Sequence, residues 1–281
     1  MARTAITPRK VAFDLTDVPR HWFGGHRLAT HIANAVNVLF PAGERFFVRS
    51  VHAFLDHPAV QADPELVAQV KGFSGQEGRH ARAHEDYNDM LRRHGYPIDK
   101  VLRRQERVMY GWLEPRLPAE LKLAATAAAE HFTAIMAENA FRKQLLEHAH
   151  PIMKQLLLWH ASEEIEHKSV AFDVLQKVNP SYPLRIAGLA FASVSLSMWW
   201  LMGTINLLRS EHVTPRQLRE EAAQLRTARN GEDHGIARSV FARGIREYLR
   251  RDFHPSQNHN EHLAAAYLES VGLAAPATVR A

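Results

Sequence analysis

Apolar positions along the chain recur at helical spacing in long runs separated by short punctuated breaks, and no convincing period-two alternation appears. From Leu28 to Leu55 the helical spacing is interrupted by Pro41 and Gly43. This predicts one kinked helix or two abutting helices, because an interior proline removes a backbone hydrogen bond and clashes with the preceding turn. Asp63-Pro64-Glu65 reads as a helix start: an N-cap acid, a proline at the first helical position, then a second acid. That helix should run to about Arg93, with Gly95 as its stop and Pro97 beyond. A less regular stretch with a short helix fills 99–116. Pro118 then opens a long alanine-rich helix to about His148, and Pro151 opens another that ends before Asn179-Pro180. The pattern predicts an all-α chain.

Four segments follow from this reading. Residues 1–26 form an irregular arm with turn formers at Pro19, Gly24 and Gly25, and 27–180 form a helical bundle. Residues 181–210 hold one long apolar helix, and 211–281 form a helical appendage with stretches at Thr214 to about Arg229 and Ile236 to about Arg251. Within the apolar helix, Ile186 to Leu208 carries no formal charge for 23 residues and is bounded by Arg185 and Arg209. That is long enough to span a bilayer, although three serines, Thr204, Asn206 and two glycines blunt its hydrophobicity. The expectation is a helix in the core or at a homodimer interface, with membrane contact as the alternative.

Composition narrows the field. Net charge is only +5, from 35 basic and 30 acidic residues that are interspersed, so a nucleic-acid partner is not expected. There is no cysteine, which excludes disulfides, thiolate ligands and a cysteine nucleophile and fits a cytoplasmic protein. Met1 to Lys10 holds basic residues with no apolar run behind them, so no signal peptide is expected. Eighteen histidines are many for this length, and their positions carry the chemistry.

His160, Glu164 and His167 lie at offsets of zero, four and seven, one stripe of a helix. The helix that opens at Pro64 carries a second Glu-x-x-His, Glu77 with His80, and the preceding helix carries Glu44. The alanine-rich helix carries Glu130. Glu44 precedes Glu77 by 33 residues (77 − 44), and Glu130 precedes Glu164 by 34 (164 − 130). One unit therefore repeats: a helix with a lone glutamate, then a helix with Glu-x-x-His. Packed as four helices, this places one carboxylate per helix and imidazoles on two of them at one level, the arrangement by which bundle proteins hold two iron or manganese ions. Two divalent ions would balance four carboxylates that are otherwise costly to bury. His160 either ligates beside His167 or supports the site from behind. His84, Tyr87 and Asp173 are candidates for orienting the ligands, and Thr133 and Ala134 are small enough to leave a pocket beside Glu130.

Pro19-Arg-His-Trp22, Pro41-Ala-Gly-Glu-Arg-Phe-Phe47, Gly75-Gln-Glu-Gly-Arg-His80, Glu130-His-Phe132 and the run from His160 to Asp173 resemble the bacterial family labelled "predicted metal-dependent hydrolase", over about residues 10–210. The order Glu, Glu-x-x-His, Glu, His-x-x-x-Glu-x-x-His is also similar to that of the ferritin-like di-iron arylamine N-oxygenases. That second resemblance implies a ferritin-like four-helix bundle in which Glu44, Glu77, His80, Glu130, His160, Glu164 and His167 are all ligands. The leading expectation is then a di-iron oxygenase or oxidase. It would use two iron ions (manganese or a mixed pair as alternatives), dioxygen, a small or acyl-like organic substrate and an electron-donating reductase. The alternatives are a dinuclear metal-dependent hydrolase and a non-catalytic metal-binding bundle.

Overall fold

The computed structural model describes residues 6–228 and 235–274. Among these residues there is no β-strand; one isolated bridge joins Phe23 and Ala149. The helices are α1 (Arg27–His52), α2 (Pro58–Gln61), α3 (Pro64–Arg93), α4 (Ile98–Gln105), α5 (Ala119–Arg142), α6 (Pro151–His167), α7 (Val170–Val178), α8 (Tyr182–Ser210), α9 (Pro215–Ala228), α10 (Arg243–Tyr248) and α11 (Glu261–Ser270). π-Helical turns extend α4 over Glu106–Leu113 and precede α10 over Ala237–Ala242. The all-α expectation holds.

Local chemistry sets several of these boundaries. Asp63 caps α3 by accepting from the Leu66 N–H, with Pro64 at the first helical position. Its exit runs through Gly95 at φ +82°, a conformation that glycine adopts without strain. α1 passes through Pro41 as one helix. Two expected boundaries are corrected. α5 ends at Arg142, short of His148, where Gln144 turns into the left-handed region at φ 47°. The helix opened by Pro151 stops at His167 and restarts at Val170. At that break the Lys168 ammonium donates to Asn258 O, Asn260 Oδ1 and Glu261 Oε1, which ties the bundle to the C-terminal segment.

α1 packs on α3 and α5, and α6 on α5 and α3, so these four helices surround a shared interior. Its apolar residues form two clusters. One runs through Val51, Leu66, Phe73, Leu123 and Phe172, the other through Val38, Tyr87, Met90, Met153 and Leu156. Along α1 and α3 a polar layer lies between them, and it contains Glu44, Glu77, His80 and His84.

α8 lies across α1 and α5. Its inner side buries Leu189, Trp199, Trp200 and Leu207, while Val194, Met198, Leu201 and Ile205 are exposed on the other. It is long and apolar enough to cross a membrane. The close approach of α8 to α5 depends on Gly188, where a Cβ would overlap the backbone carbonyl of Ala124. Replacing an interior helical glycine by alanine ordinarily gains about 1 kcal/mol, but overpacking against backbone that cannot move aside costs about 1–3 kcal/mol. The steric effect should win. Gly188→Ala should lower the melting temperature by a few degrees, whereas Gly78→Ala, with open space at its Cβ, should not lower it.

Candidate metal centre

The four helices bring the six residues of the repeat, and His160 beside them, to one level. Glu44 comes from α1, Glu77 and His80 from α3, Glu130 from α5, and His160, Glu164 and His167 from α6. None is more than 5% exposed. Their ligand-bearing atoms form three overlapping groups, Glu44/His80/His160, Glu77/His80/Glu164 and Glu77/Glu130/His167, with the atoms of each within 4.8 Å of one another.

The orientation of each imidazole is set from outside. The His167 Nδ1–H donates to Gln76 Oε1 at 2.9 Å; Gln76 is held that way round because its Nε2 donates to Glu166 Oε2. The His80 Nε2–H donates to Glu163 Oε2 at 2.9 Å, and a carboxylate paired with Arg9 can only accept. The His160 Nδ1–H donates to His84 Nε2 at 2.7 Å, because the other nitrogen of His84 donates to Asn37 Oδ1, whose amide donates in turn to Asn88. In all three rings the outer nitrogen therefore carries a proton, which leaves the inner one facing the cluster to take up a metal ion or a further proton.

Those inner nitrogens face carboxylate oxygens. His167 Nε2 lies 3.1 Å from Glu77 Oε1 and 3.3 Å from Glu130 Oε2, His160 Nε2 lies 2.7 Å from Glu164 Oε1, and His80 Nδ1 lies 3.8 Å from the same oxygen. With the outer nitrogens already donating, these close approaches need a positive charge shared between nitrogen and oxygen, either a proton or a metal ion. Both oxygens of Glu44, Glu77 and Glu130, Glu164 Oε2, His80 Nδ1 and His167 Nε2 are buried without a hydrogen-bond partner. These buried, unpartnered carboxylate oxygens and ring nitrogens are a fit for metal ions.

The electrostatics agree. Burial, followed by repulsion from neighbouring carboxylates, pushes Glu44 well above the usual carboxylate range. Burial likewise raises Glu77 despite the nearby His167 and lifts Glu130 to about 7. Burial also tends to raise Glu164, but His167 and His160 outweigh it and hold this carboxyl low. Burial works against a charged His167 and is overcome by Glu164, Glu130 and Glu77. The cluster draws positive charge, whether protons or metal ions.

Of the candidates for supporting residues, His84 holds His160. For the other two, the Tyr87 hydroxyl donates to Asn34 Oδ1, and the Asp173 carboxylate pairs with His254 Nε2. Tyr87 lies two turns beyond His80 on α3, and Asp173 lies on α7, past the break that follows His167. The sequence reading missed Arg9, Asn37, Gln76, Glu163 and Glu166. Gln76, Glu163 and Glu166 stand inside the ligand motifs, beside the ligands they support, and that adjacency was the available signal. Arg9 gave none. It reaches Glu163 (3.0 Å) and grips Glu166 through both terminal nitrogens (2.7 Å each) because the arm lies against α3 at two glycines. A Cβ at Gly72 would meet Ile6 O at 2.5 Å, and one at Gly75 would overlap the Pro8 ring.

A cavity of about 670 Å³ opens beside the cluster, and His160 and Glu164 are the two cluster residues in its wall. Thr133 also lines it, whereas the expected Ala134 is buried outside the lining and Ala137 stands there instead.

A second group, His21, His31 and Glu211, also brings ligand atoms together. Here the carboxylate is already served by the Tyr96 hydroxyl (2.5 Å), Arg20 Nε (3.0 Å) and His21 Nε2 (2.9 Å). A guanidinium in the cluster opposes a metal cation, so the group acts as a clasp between the arm, α1 and the end of α8.

The chain matches, over residues 7–259, the family described as predicted metal-dependent hydrolase, and it belongs to that family. No curated protein and no solved structure matches it. The family assignment corrects the leading expectation of a di-iron oxygenase or oxidase. The description is hydrolytic, as in the alternative reading.

Two outcomes follow from these contacts. Glu163→Leu strips the acceptor from the His80 Nε2–H and should weaken metal binding by about 10–100-fold in chelator competition, while Glu163→Gln should retain most of it; equal affinities in all three proteins would contradict the assigned role. For the clasp, burial would raise Glu211, but bonds from Tyr96, His21 and Arg20 bring it from 4.5 to about 2. A lowered carboxyl stabilises the fold above its ordinary value and loses that contribution as pH falls toward the folded one. The melting-temperature gap between wild type and Glu211→Gln should therefore be full above about pH 4.5 and shrink toward pH 2; a gap independent of pH would refute this.

Proposed function

We propose that this chain is a dinuclear metal-dependent hydrolase in which Glu44, Glu77, His80, Glu130, His160, Glu164 and His167 hold two divalent cations. The observation that carries the metal assignment is the turning of the inner nitrogens of three imidazoles onto buried carboxylates. Family membership supports the hydrolytic reading. One glutamate on each of four helices, with imidazoles on two, is the ligand layout of a ferritin-like bundle and supports that architecture. Two divalent ions bring four positive charges to four carboxylates, and neutral imidazoles add ligands without adding charge. Carboxylate and imidazole donors suit zinc, manganese, iron and cobalt alike.

When bound, such a pair lowers the pKa of a water and offsets the charge that develops on the oxygens of the scissile group. The residues of the chain do the rest. His160 and Glu164 present the reactive end of the site to the cavity, so a substrate held there meets them first. His84 keeps the His160 proton on Nδ1 and its Nε2 free. Arg9, Glu163, Glu166 and Gln76 hold the other two rings in register.

The test is metal content and turnover measured on the same protein. After treatment with a chelator and reloading with zinc, manganese or ferrous ions, wild type should bind two ions per chain and hydrolyse a member of a panel of carboxylic esters, amides and phosphoesters. Glu77→Ala and His167→Ala should lose both properties. Fewer than two ions per chain, or two ions with no hydrolysis across the panel, would sink the proposal.

A further inference from the structure

The cavity beside the cluster has a shape and a polarity that narrow the substrate. Its walls run away from the ligand level in one direction on three helices. On α1 they descend from Phe40 through Val36, Ala33, Ile32 and Ala29 to Leu28. On α5 they pass from Thr133 to Ala140, and on α6 from Glu164 back to Leu157. The α1 wall alone spans 12 residues (40 − 28), roughly 18 Å at the rise of an α-helix. The space is thus a trench along the bundle, with the cluster at one end and Phe23, Leu225 and Ile236 toward the other.

Apart from the cluster, the trench offers little polarity. The Thr133 hydroxyl donates to Glu130 O, and the Asn139 amide donates to Ser239 O. Among the described lining residues, His160 and Glu164 are the strongly polar pair, and Glu164 Oε2 is buried there without a hydrogen-bond partner. A volume of about 670 Å³ is in the range of ligand sites. Alanines at 29, 33, 137, 140 and 161 keep the trench open, and Phe40 closes over its head, its ring 5.1 Å from that of His160.

We infer that the substrate is an ester of a straight-chain fatty acid, its alkyl tail lying in this trench and its carbonyl at His160 and Glu164. The inference rests on the hydrolase reading for what happens at the head and on the trench alone for the tail. The reaction consumes one water: its oxygen joins the acyl carbon, the acyl C–O bond breaks, and the leaving oxygen takes a proton, giving acid and alcohol with no change of oxidation state. A chain with its polar group at one end matches a site whose polar wall is at one end. Burying each methylene contributes about 0.8 kcal/mol, or about a fourfold gain in affinity.

The experiment uses metal-loaded protein and the straight-chain alcohols from hexanol to dodecanol, which contain no bond to hydrolyse, followed by calorimetric titration. Affinity should rise about fourfold per methylene until the trench is full and then level off. Ala137→Leu and Ala33→Leu, on facing walls, should each level off at a shorter chain with metal content unchanged, so that one variant failing to fold leaves the other as the test. Affinity independent of chain length in wild type, or the same levelling point in both variants, overturns the inference. The matching methyl esters separate it from the hydrolase reading. Alcohols that obey the series without ester turnover uphold the trench and refute the hydrolase; ester turnover that ignores chain length does the reverse.

Discussion

The structure turns on a conflict between acceptors. Four glutamates from four helices are buried at one level, and three imidazoles turn their inner nitrogens onto the same oxygens. An uncompensated buried carboxylate costs several kcal/mol even after relaxation, so four together can persist only where positive charge is supplied. The surrounding polar residues do not relieve this conflict; they maintain it. Gln76, Glu163 and His84 each accept from the outer nitrogen of a ring, and so prevent it from rotating to donate inward. A cluster held this way is arranged to take up positive charge, as protons or as metal ions.

That cluster sets demands on the rest of the chain. The supporting acceptors need anchors of their own, and Arg9 supplies one by pairing with both Glu163 and Glu166. Arg9 lies in the arm, so the arm must lie flat on α3, which the bare backbones at Gly72 and Gly75 permit. The break after His167 serves the same end of the site, because Lys168 there turns away into the C-terminal segment and fixes where α6 stops. Beside the polar layer the helices part into an apolar trench, so a charged reactive end and a dry binding space share one wall at His160 and Glu164.

Much of this was legible from residue order. Helical periodicity with proline and glycine punctuation gave the class of the fold and the span of α3 to the residue. The doubled Glu-x-x-His with its two lone glutamates named six of the residues that converge, and the helical stripe through Glu164 and His167 added His160. Two kinds of detail were not legible that way. Boundaries at His148 and across Lys168 depended on contacts with distant segments, which local pattern does not contain. Tyr87 and Asp173 were candidates for orienting ligands, and the packing sets them against Asn34 and His254.

By itself, then, the sequence determined an all-α chain with an evenly spaced set of carboxylates and imidazoles, because helical period and ligand spacing are properties of consecutive residues. Only the tertiary structure decided which nitrogen of each histidine faces inward, that Arg9 reaches across more than 150 positions to hold Glu163 and Glu166, and that an apolar trench lies beside the cluster. Those features arise where separate helices meet, and the spacing along any one of them carries no record of its neighbour. His160 shows the division. Its place on the ligand stripe was plain from the sequence, but that its Nε2 faces Glu164 while His84 holds its other nitrogen follows from the packing of α3 against α6.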